Sequence, residues 1–161
     1  MRGQLVKGAV AGVVGTWLMD VAAWTLYRQA SAETLREEDR TRIDGKDTAH
    51  AAARHLARAV GSDAAQEEPN AGGIFIHYQL GIAPGVAYAT LRERFPWITA
   101  GKGALWGATL YVTNDLVAAR LLRLTGPQRD YPWQTHVRGL IGHVVLGVGT
   151  HLTLEALDDA T

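Results

Sequence analysis

The chain contains no cysteine among its 161 residues, and this excludes disulfides, thiolate zinc sites and iron–sulfur ligation. Basic and acidic residues are equal in number, 16 each, so the sequence predicts no basic surface for nucleic acid. Serine occurs only at positions 31 and 62, and no glycine loop of the P-loop type is present. Nucleophilic catalysis therefore has little support, and we predict a protein that is not an enzyme.

Charge is nearly absent from four apolar, glycine-rich stretches, each about long enough to cross a bilayer as a helix. Residues 70–91 and 139–154 contain no Asp, Glu, Lys or Arg, whereas residues 8–27 and 103–119 contain one aspartate each. A soluble helical bundle, the alternative, would need a charged face on each helix. We therefore expect an all-α integral membrane four-helix bundle that forms one membrane domain over residues 1–161. Its mean hydropathy of −0.04 is low because the charge is concentrated in the connections.

The predicted spanning helices cover about residues 5–27, 73–91, 102–122 and 136–157, and a polar connection covers residues 28–72. Within this connection, Asp47 can cap a short amphipathic helix from Thr48 to Val60 that Gly61 closes. That helix is expected at the membrane surface, on the end of the bundle or in solvent, with His50 and His55 solvated. The first stretch has features of a cleaved signal peptide but is interpreted as a retained helix. The balance of lysine and arginine leaves the membrane orientation open.

Pairs of glycines four residues apart recur in three of the stretches and let helix backbones approach closely. The pairs are Gly8 and Gly12, Gly81 and Gly85, and Gly103 and Gly107. They predict either a compact bundle or contact with other subunits. The preferred function is therefore a non-enzymatic accessory or structural subunit. Its expected partners are the lipid bilayer and other membrane-protein subunits or further copies of the chain.

Four ionisable residues lie in four different apolar stretches: Asp20, His77, Asp115 and His143. Such groups are costly in lipid unless they face the interior of the bundle and have partners, so we expect a buried polar cluster. Secondary polar candidates on the same helix faces are His136, His151, Tyr88 and Tyr111. The cluster predicts either structural Asp–His pairs or a unit that transports protons or ions.

No cofactor is predicted, but two further hypotheses stay open. A haem held between His77 and His143 would suit an electron-transfer subunit. A divalent metal bound by His77, Asp115 and His143 is the other.

Several short motifs resemble the YagU-like family of small bacterial inner-membrane proteins over residues 5–27 and 73–157. The motifs are Ala11-Gly12-Val13-Val14, His77, Arg94-Phe95-Pro96, Gly107-Ala108, Asp130-Tyr131-Pro132-Trp133 and Gly142-His143. The family pattern carries over to His77, Pro96, Pro132, Trp133, Gly142 and His143. At the position of Asp115, family members can carry histidine, which fits a polar cluster better than a fixed ligand set. The resemblance implies a multi-pass protein of the bacterial inner (cytoplasmic) membrane with no assigned chemistry.

Overall fold

The fold is known from a computed structural model that describes residues 2–160. These residues form helices and turns, and they contain no strand. The predicted all-α class is therefore confirmed. The predicted domain bounds also include Met1 and Thr161, which lie outside the described residues.

Seven α-helices are present in the described part of the chain, and the four longest apolar segments fall close to the predicted ranges. They are α1 (Arg2–Tyr27), α2 (Ala32–Thr41), α3 (Thr48–Ala59), α4 (Ala71–Leu91), α5 (Ala104–Leu110), α6 (Ala119–Leu121) and α7 (Trp133–Asp159). A π-helical segment, Tyr111–Ala118, joins α5 to α6, and short 3₁₀ turns lie at Ile43–Gly45, Pro96–Thr99 and Gln128–Asp130.

Within residues 2–160, two helices are long and apolar enough to cross a membrane, by length and composition alone: Gly3–Tyr27 within α1, and α7. The consecutive polar residues His77, Tyr78 and Gln79 lower the mean hydropathy of α4. The third predicted helix is interrupted by the π-helical segment, where the Thr113 hydroxyl donates hydrogen bonds to the carbonyls of Thr109 and Leu110. The hydroxyl competes with backbone amides for these carbonyls at the point where the α-helix widens into π-helical turns.

Helix α1 lies between α4 and α7, and α7 packs on α5. The predicted glycines form these contacts. A Cβ on Gly12 would lie 2.6 Å from the carbonyl oxygen of Gly81, and one on Gly85 would lie 2.6 Å from that of Gly8. A Cβ on Gly107 would overlap the backbone of His143. All three predicted glycine pairs therefore join helices of this same chain.

The polar connection contains two helices, where the sequence predicted one. Ser31 caps α2 by accepting a hydrogen bond from the Thr34 amide, and Asp47 caps α3 as predicted by accepting one from the His50 amide. Helix α3 packs against α4 through buried alanines, and Ala51 also contacts Ala119 of α6. The connection is therefore folded onto one end of the helices, which is one of the expected positions.

Large apolar side chains point outward along the long helices. On α1, Val6, Val10, Trp17 and Trp24 are all exposed, with Trp24 62% accessible. Exposed apolar residues also lie on the outer faces of the other long helices, for example Phe75, Val112 and Ile141.

Candidate functional site

The four predicted ionisable residues meet as two Asp–His pairs. The first joins α1 to α4, where the His77 Nε2 atom lies 2.7 Å from the Asp20 Oδ1 atom. This is a hydrogen-bond distance, and the imidazole donates to the carboxylate. The pair lies on the same α1–α4 contact as the glycines, one turn beyond Thr16 and Gly81.

The second pair joins α7 to the π-helical segment. The Nδ1 atom of His143 lies 2.9 Å from the carbonyl oxygen of Gly139, to which it donates. Its Nε2 atom faces the Asp115 Oδ1 atom at 3.7 Å. Because a neutral imidazole has only one N–H, Nε2 would then present a lone pair to a carboxylate. The arrangement is favourable only when a proton resides on His143 or on Asp115.

His77, Asp115 and His143 line one cavity of about 270 Å³ between α1, α3, α4, α6 and α7. Thr16, Met19, Leu80 and Leu146 contribute to its otherwise largely apolar wall. Asp115 also lines an adjoining cavity of about 170 Å³ beneath the polar connection. We call the first the central cavity and the second the vestibule.

The prediction that all four residues are buried is wrong in part. Only the His143 side chain is buried, whereas the side chains of Asp20, His77 and Asp115 are 41%, 31% and 38% accessible. The helices pack mainly in the order α4–α1–α7–α5, and α4 also contacts α5 where Tyr88 lies against Trp106. At the other end the helices leave the central cavity partly open, so the four residues form two pairs beside it and three of them stay partly accessible.

The secondary polar candidates form two Tyr–His pairs, each with its histidine on α7 and its tyrosine on another segment. The Tyr88 hydroxyl donates to His151 Nδ1 at 2.7 Å, and His151 Nε2 lies 3.3 Å from Glu155. At the other end of α7, the Tyr111 hydroxyl donates to His136 Nδ1 at 3.0 Å. Neither pair has a nitrogen left for another ligand, because His136 Nε2 donates to the Gln128 carbonyl.

The metal and haem hypotheses find no support in this geometry. Within residues 2–160, one group of three residues brings possible metal-ligand atoms within 4.8 Å of one another, and it consists of Asp47, His50 and Glu68. The candidate set of His77, Asp115 and His143 is not such a group: His143 Nε2 lies 3.7 Å from Asp115, whereas His77 Nε2 is hydrogen-bonded to Asp20. A haem is equally poorly accommodated, since the Nε2 atoms of both imidazoles face carboxylates: that of His77 faces Asp20, and that of His143 faces Asp115.

The Asp47–His50–Glu68 group is itself unsuited to a metal ion. His50 Nδ1 lies 2.9 Å from both Asp47 carboxylate oxygens, while His50 Nε2 accepts a hydrogen bond from the Asn70 amide at 3.3 Å. A metal on Nδ1 would require a proton on Nε2, which would then face another donor. Burial raises the pKa of Asp47, but the hydrogen bonds from His50 outweigh it, so the carboxyl pKa lies below its usual value.

His50 is consequently a structural residue. The sequence predicted a solvated side chain, but His50 is buried and links the start of α3 to the start of α4. His55, five residues later on the same helix, is exposed as expected. The signal that could have identified His50 is the N-cap itself, because Asp47 places its carboxylate within reach of the residue three positions later.

Glu38 is a second buried group that the sequence did not reveal. Its side chain is 4% accessible, and its carboxylate accepts hydrogen bonds from Arg42 at 2.8 Å, Thr135 at 2.9 Å and Arg138. Burial raises the pKa of Glu38, but the contacts with Arg138, Thr135 and Arg42 prevail and leave the pKa below its usual value. This group fastens α2 to the beginning of α7.

A family described as "Protein of unknown function (DUF1440)" matches residues 59–152, more than half of the chain. The chain belongs to this family. The Inner membrane protein YagU of Escherichia coli (strain K12) is 33% identical over 69 residues, which cover 43% of this chain and 34% of that protein. The match thus spans about a third of the relative's length. No solved structure matches the chain.

These findings confirm the resemblance inferred from the motifs. The family match includes α4, the π-helical segment and most of α7, and with them His77, Asp115 and His143. Asp20 and Glu38 lie before its first residue.

Proposed function

We propose that the chain is a multi-pass protein of the bacterial inner membrane in which α1, α4, the α5–α6 segment and α7 cross the bilayer. The exposed apolar side chains on these helices support lipid contact. Charged groups lie at the two ends: Lys7 and Arg92 both contact Asp158, and Arg42 and Arg138 both contact Glu38. From Lys7 to Tyr27 the helix advances 20 positions, or about 30 Å, which matches a hydrocarbon core. The name of the relative agrees with this location.

We propose further that the protein binds and exchanges protons in the central cavity. The observation that carries this proposal is the orientation of His143. Its Nδ1–H donates to the Gly139 carbonyl, which turns Nε2 toward Asp115. The pair therefore holds one mobile proton, and His77, which lines the same cavity, can exchange it through water there.

The cavity has access from one end of the bundle. The vestibule leads to Asp115 beneath the polar connection. Toward the other end, Ala11, Tyr88 and Leu154 are fully buried and form an apolar core with Ala89 and Ile98. Proton exchange therefore takes place from the side of the connection, and net transport would require this core to open.

The accessory-subunit prediction is less well supported by the contacts. That prediction was based on the glycine pairs, but these glycines pack helices of this chain against one another. The exposed apolar surface supports an accessory role, although contact with lipid would account for the same surface. Purification in a mild detergent tests it: an accessory subunit is expected to elute with partners or as an oligomer, whereas consistent elution as a small monomer contradicts that role.

Proton exchange can be measured in proteoliposomes that contain a trapped pH-sensitive dye. After a pH jump, we expect wild-type protein to accelerate equilibration relative to empty vesicles. Asp115→Asn and His143→Ala should lose most of this acceleration, because each removes one member of the pair.

His55→Ala is the matched control, since His55 is an exposed imidazole on α3. It should behave as wild type. Equal proton flux in wild type, Asp115→Asn and His143→Ala would eliminate the pair as the exchanging group. Circular dichroism of each variant verifies that its helical content is unchanged.

A further inference from the structure

The vestibule contains a buried lysine without a counter-ion. Lys46 follows the 3₁₀ turn before α3 and is only 6% accessible. Its side chain lines the vestibule. Within residues 2–160, no hydrogen bond or ion pair involves its ammonium group. A buried charge in this situation is costly, so the structure keeps it at the expense of stability.

The carboxylates that line the vestibule are engaged elsewhere. Glu38 accepts hydrogen bonds from Arg42, Arg138 and Thr135. Asp47 accepts them from the amide and the ring of His50. Asp115 faces His143. None of these carboxylates lies within 4.0 Å of the Lys46 ammonium group.

The ammonium group is not fully enclosed by protein atoms, and Lys46 is one of the residues that line the vestibule. The fully enclosed side-chain atoms that lack a partner in the described part of the chain belong to Gln4, Arg54 and Trp106, and Lys46 is not among them. Arg42 lines the same space, and it donates to Glu38 through one of its terminal nitrogens, which leaves further N–H groups of its guanidinium.

We propose that the vestibule binds a small oxyanion, with the Lys46 ammonium group as its principal ligand. The volume of about 170 Å³ has room for inorganic phosphate or a short carboxylate. The anion supplies the missing counter-charge to Lys46 and accepts hydrogen bonds from the free donors of Arg42. This site goes beyond proton exchange, although Asp115 forms the boundary between the two cavities.

Thermal unfolding in a neutral detergent, with and without inorganic phosphate at constant ionic strength, tests the site. A ligand that binds only the folded state stabilises it by RT ln(1 + [L]/Kd), so the midpoint rises with the logarithm of the ligand concentration once this exceeds the Kd. We expect phosphate to raise the midpoint of wild type. In Lys46→Met, the Kd for phosphate should increase about tenfold to a hundredfold, the usual effect of losing one charge-assisted hydrogen bond. Lys102→Met removes an exposed lysine, so it should respond to phosphate as wild type does.

The stability of the variant without phosphate gives an independent readout. Methionine has a stem similar to that of lysine and carries no charge, so Lys46→Met should be at least as stable as wild type when phosphate is absent. A Lys46→Met protein that is less stable or fails to fold would overturn the proposal, because Lys46 would then have a structural role. The same conclusion follows if phosphate does not shift wild type, or shifts it and Lys46→Met equally.

An anionic lipid headgroup has the same chemistry as free phosphate, so a second arm uses phosphatidylcholine nanodiscs with and without phosphatidylglycerol. We expect the Lys46-dependent shift with soluble phosphate in both. A Lys46-dependent shift with phosphatidylglycerol but none with phosphate would replace the soluble oxyanion by a lipid. Proton flux does not enter either measurement, so failure of the anion site and failure of proton exchange are distinguishable.

Discussion

Replacing Gly85 by alanine tests the close contact between α1 and α4. The new Cβ would lie 2.6 Å from the Gly8 carbonyl oxygen and 2.7 Å from the Gly12 Cα atom. Both neighbours are backbone atoms of α1, so neither can rotate away. An ordinary contact begins at 3.4 Å, and the difference from 2.6 Å requires the helices to separate by about 0.8 Å. Overpacking of this kind costs about 1–3 kcal/mol.

The matched control is Gly3→Ala, on the same helix as the glycines that Gly85 contacts. A Cβ at Gly3 meets no atom within 4 Å. Both substitutions gain helix propensity of about 0.5–1 kcal/mol, because alanine loses less backbone entropy than glycine. The difference between the two variants therefore isolates the packing cost.

Thermal unfolding followed by circular dichroism in a mild detergent provides the measurement. We expect Gly3→Ala to unfold at or above the wild-type temperature. Gly85→Ala should unfold below Gly3→Ala by about 2–4 °C for each kcal/mol of packing cost. Equal midpoints for the two variants would refute the inferred contact, since they would show that α1 and α4 do not approach this closely.

The other predictions concern buried hydrogen bonds. Glu38→Gln should lower the free energy of unfolding by about 3–5 kcal/mol, because two arginines lose their buried counter-charge. The control is Glu37→Gln at the exposed neighbouring position, which should change the free energy of unfolding by less than about 0.5 kcal/mol. A similar loss in both variants would contradict the buried ion pair. Because the folded-state pKa of Glu38 lies below its ordinary value of 4.5, its contribution is complete above pH 4.5 and is lost as the pH falls through the folded-state value, so wild type should lose stability more steeply in acid than Glu38→Gln. Tyr88→Phe should cost about 1–3 kcal/mol in chemical unfolding, because the buried His151 Nδ1 atom loses its donor. Tyr78→Phe is the control, since the Tyr78 hydroxyl has no hydrogen bond within residues 2–160, and equal effects of the two substitutions would argue against the Tyr88–His151 bond.

The sequence predicts the long helices well, because the lack of charge over a bilayer-length stretch is a strong and local signal. Helical periodicity also places His143 on the same face of α7 as its glycines, and Asp115 on the face of Tyr111. Periodicity gives the direction of a side chain but not the neighbouring helix. The closed cluster that we expected is therefore two separate pairs, and Asp20 is hydrogen-bonded to His77 alone.

The parts that the sequence did not predict depend on long-range contacts. Glu38, Lys46 and His50 lie in a charged segment that resembles a solvated linker, and each is buried because the connection folds onto the helix ends. Glu38 meets Arg138 across 100 positions of the chain. Composition also does not predict the π-helical segment at Asp115, since its residues are equally compatible with an ordinary α-helix.

The central position of α1 has a consequence for biosynthesis. Helix α1 is synthesised before α4 and α7, yet it packs against both: the Ala11 carbonyl accepts a hydrogen bond from Thr150, 139 residues later. During translation α1 can therefore associate with α4 while its other side stays uncovered. Helix α7 is synthesised well after α1, so in the interval that side needs another cover, which lipid or the insertion machinery would supply to a membrane protein of the kind proposed above.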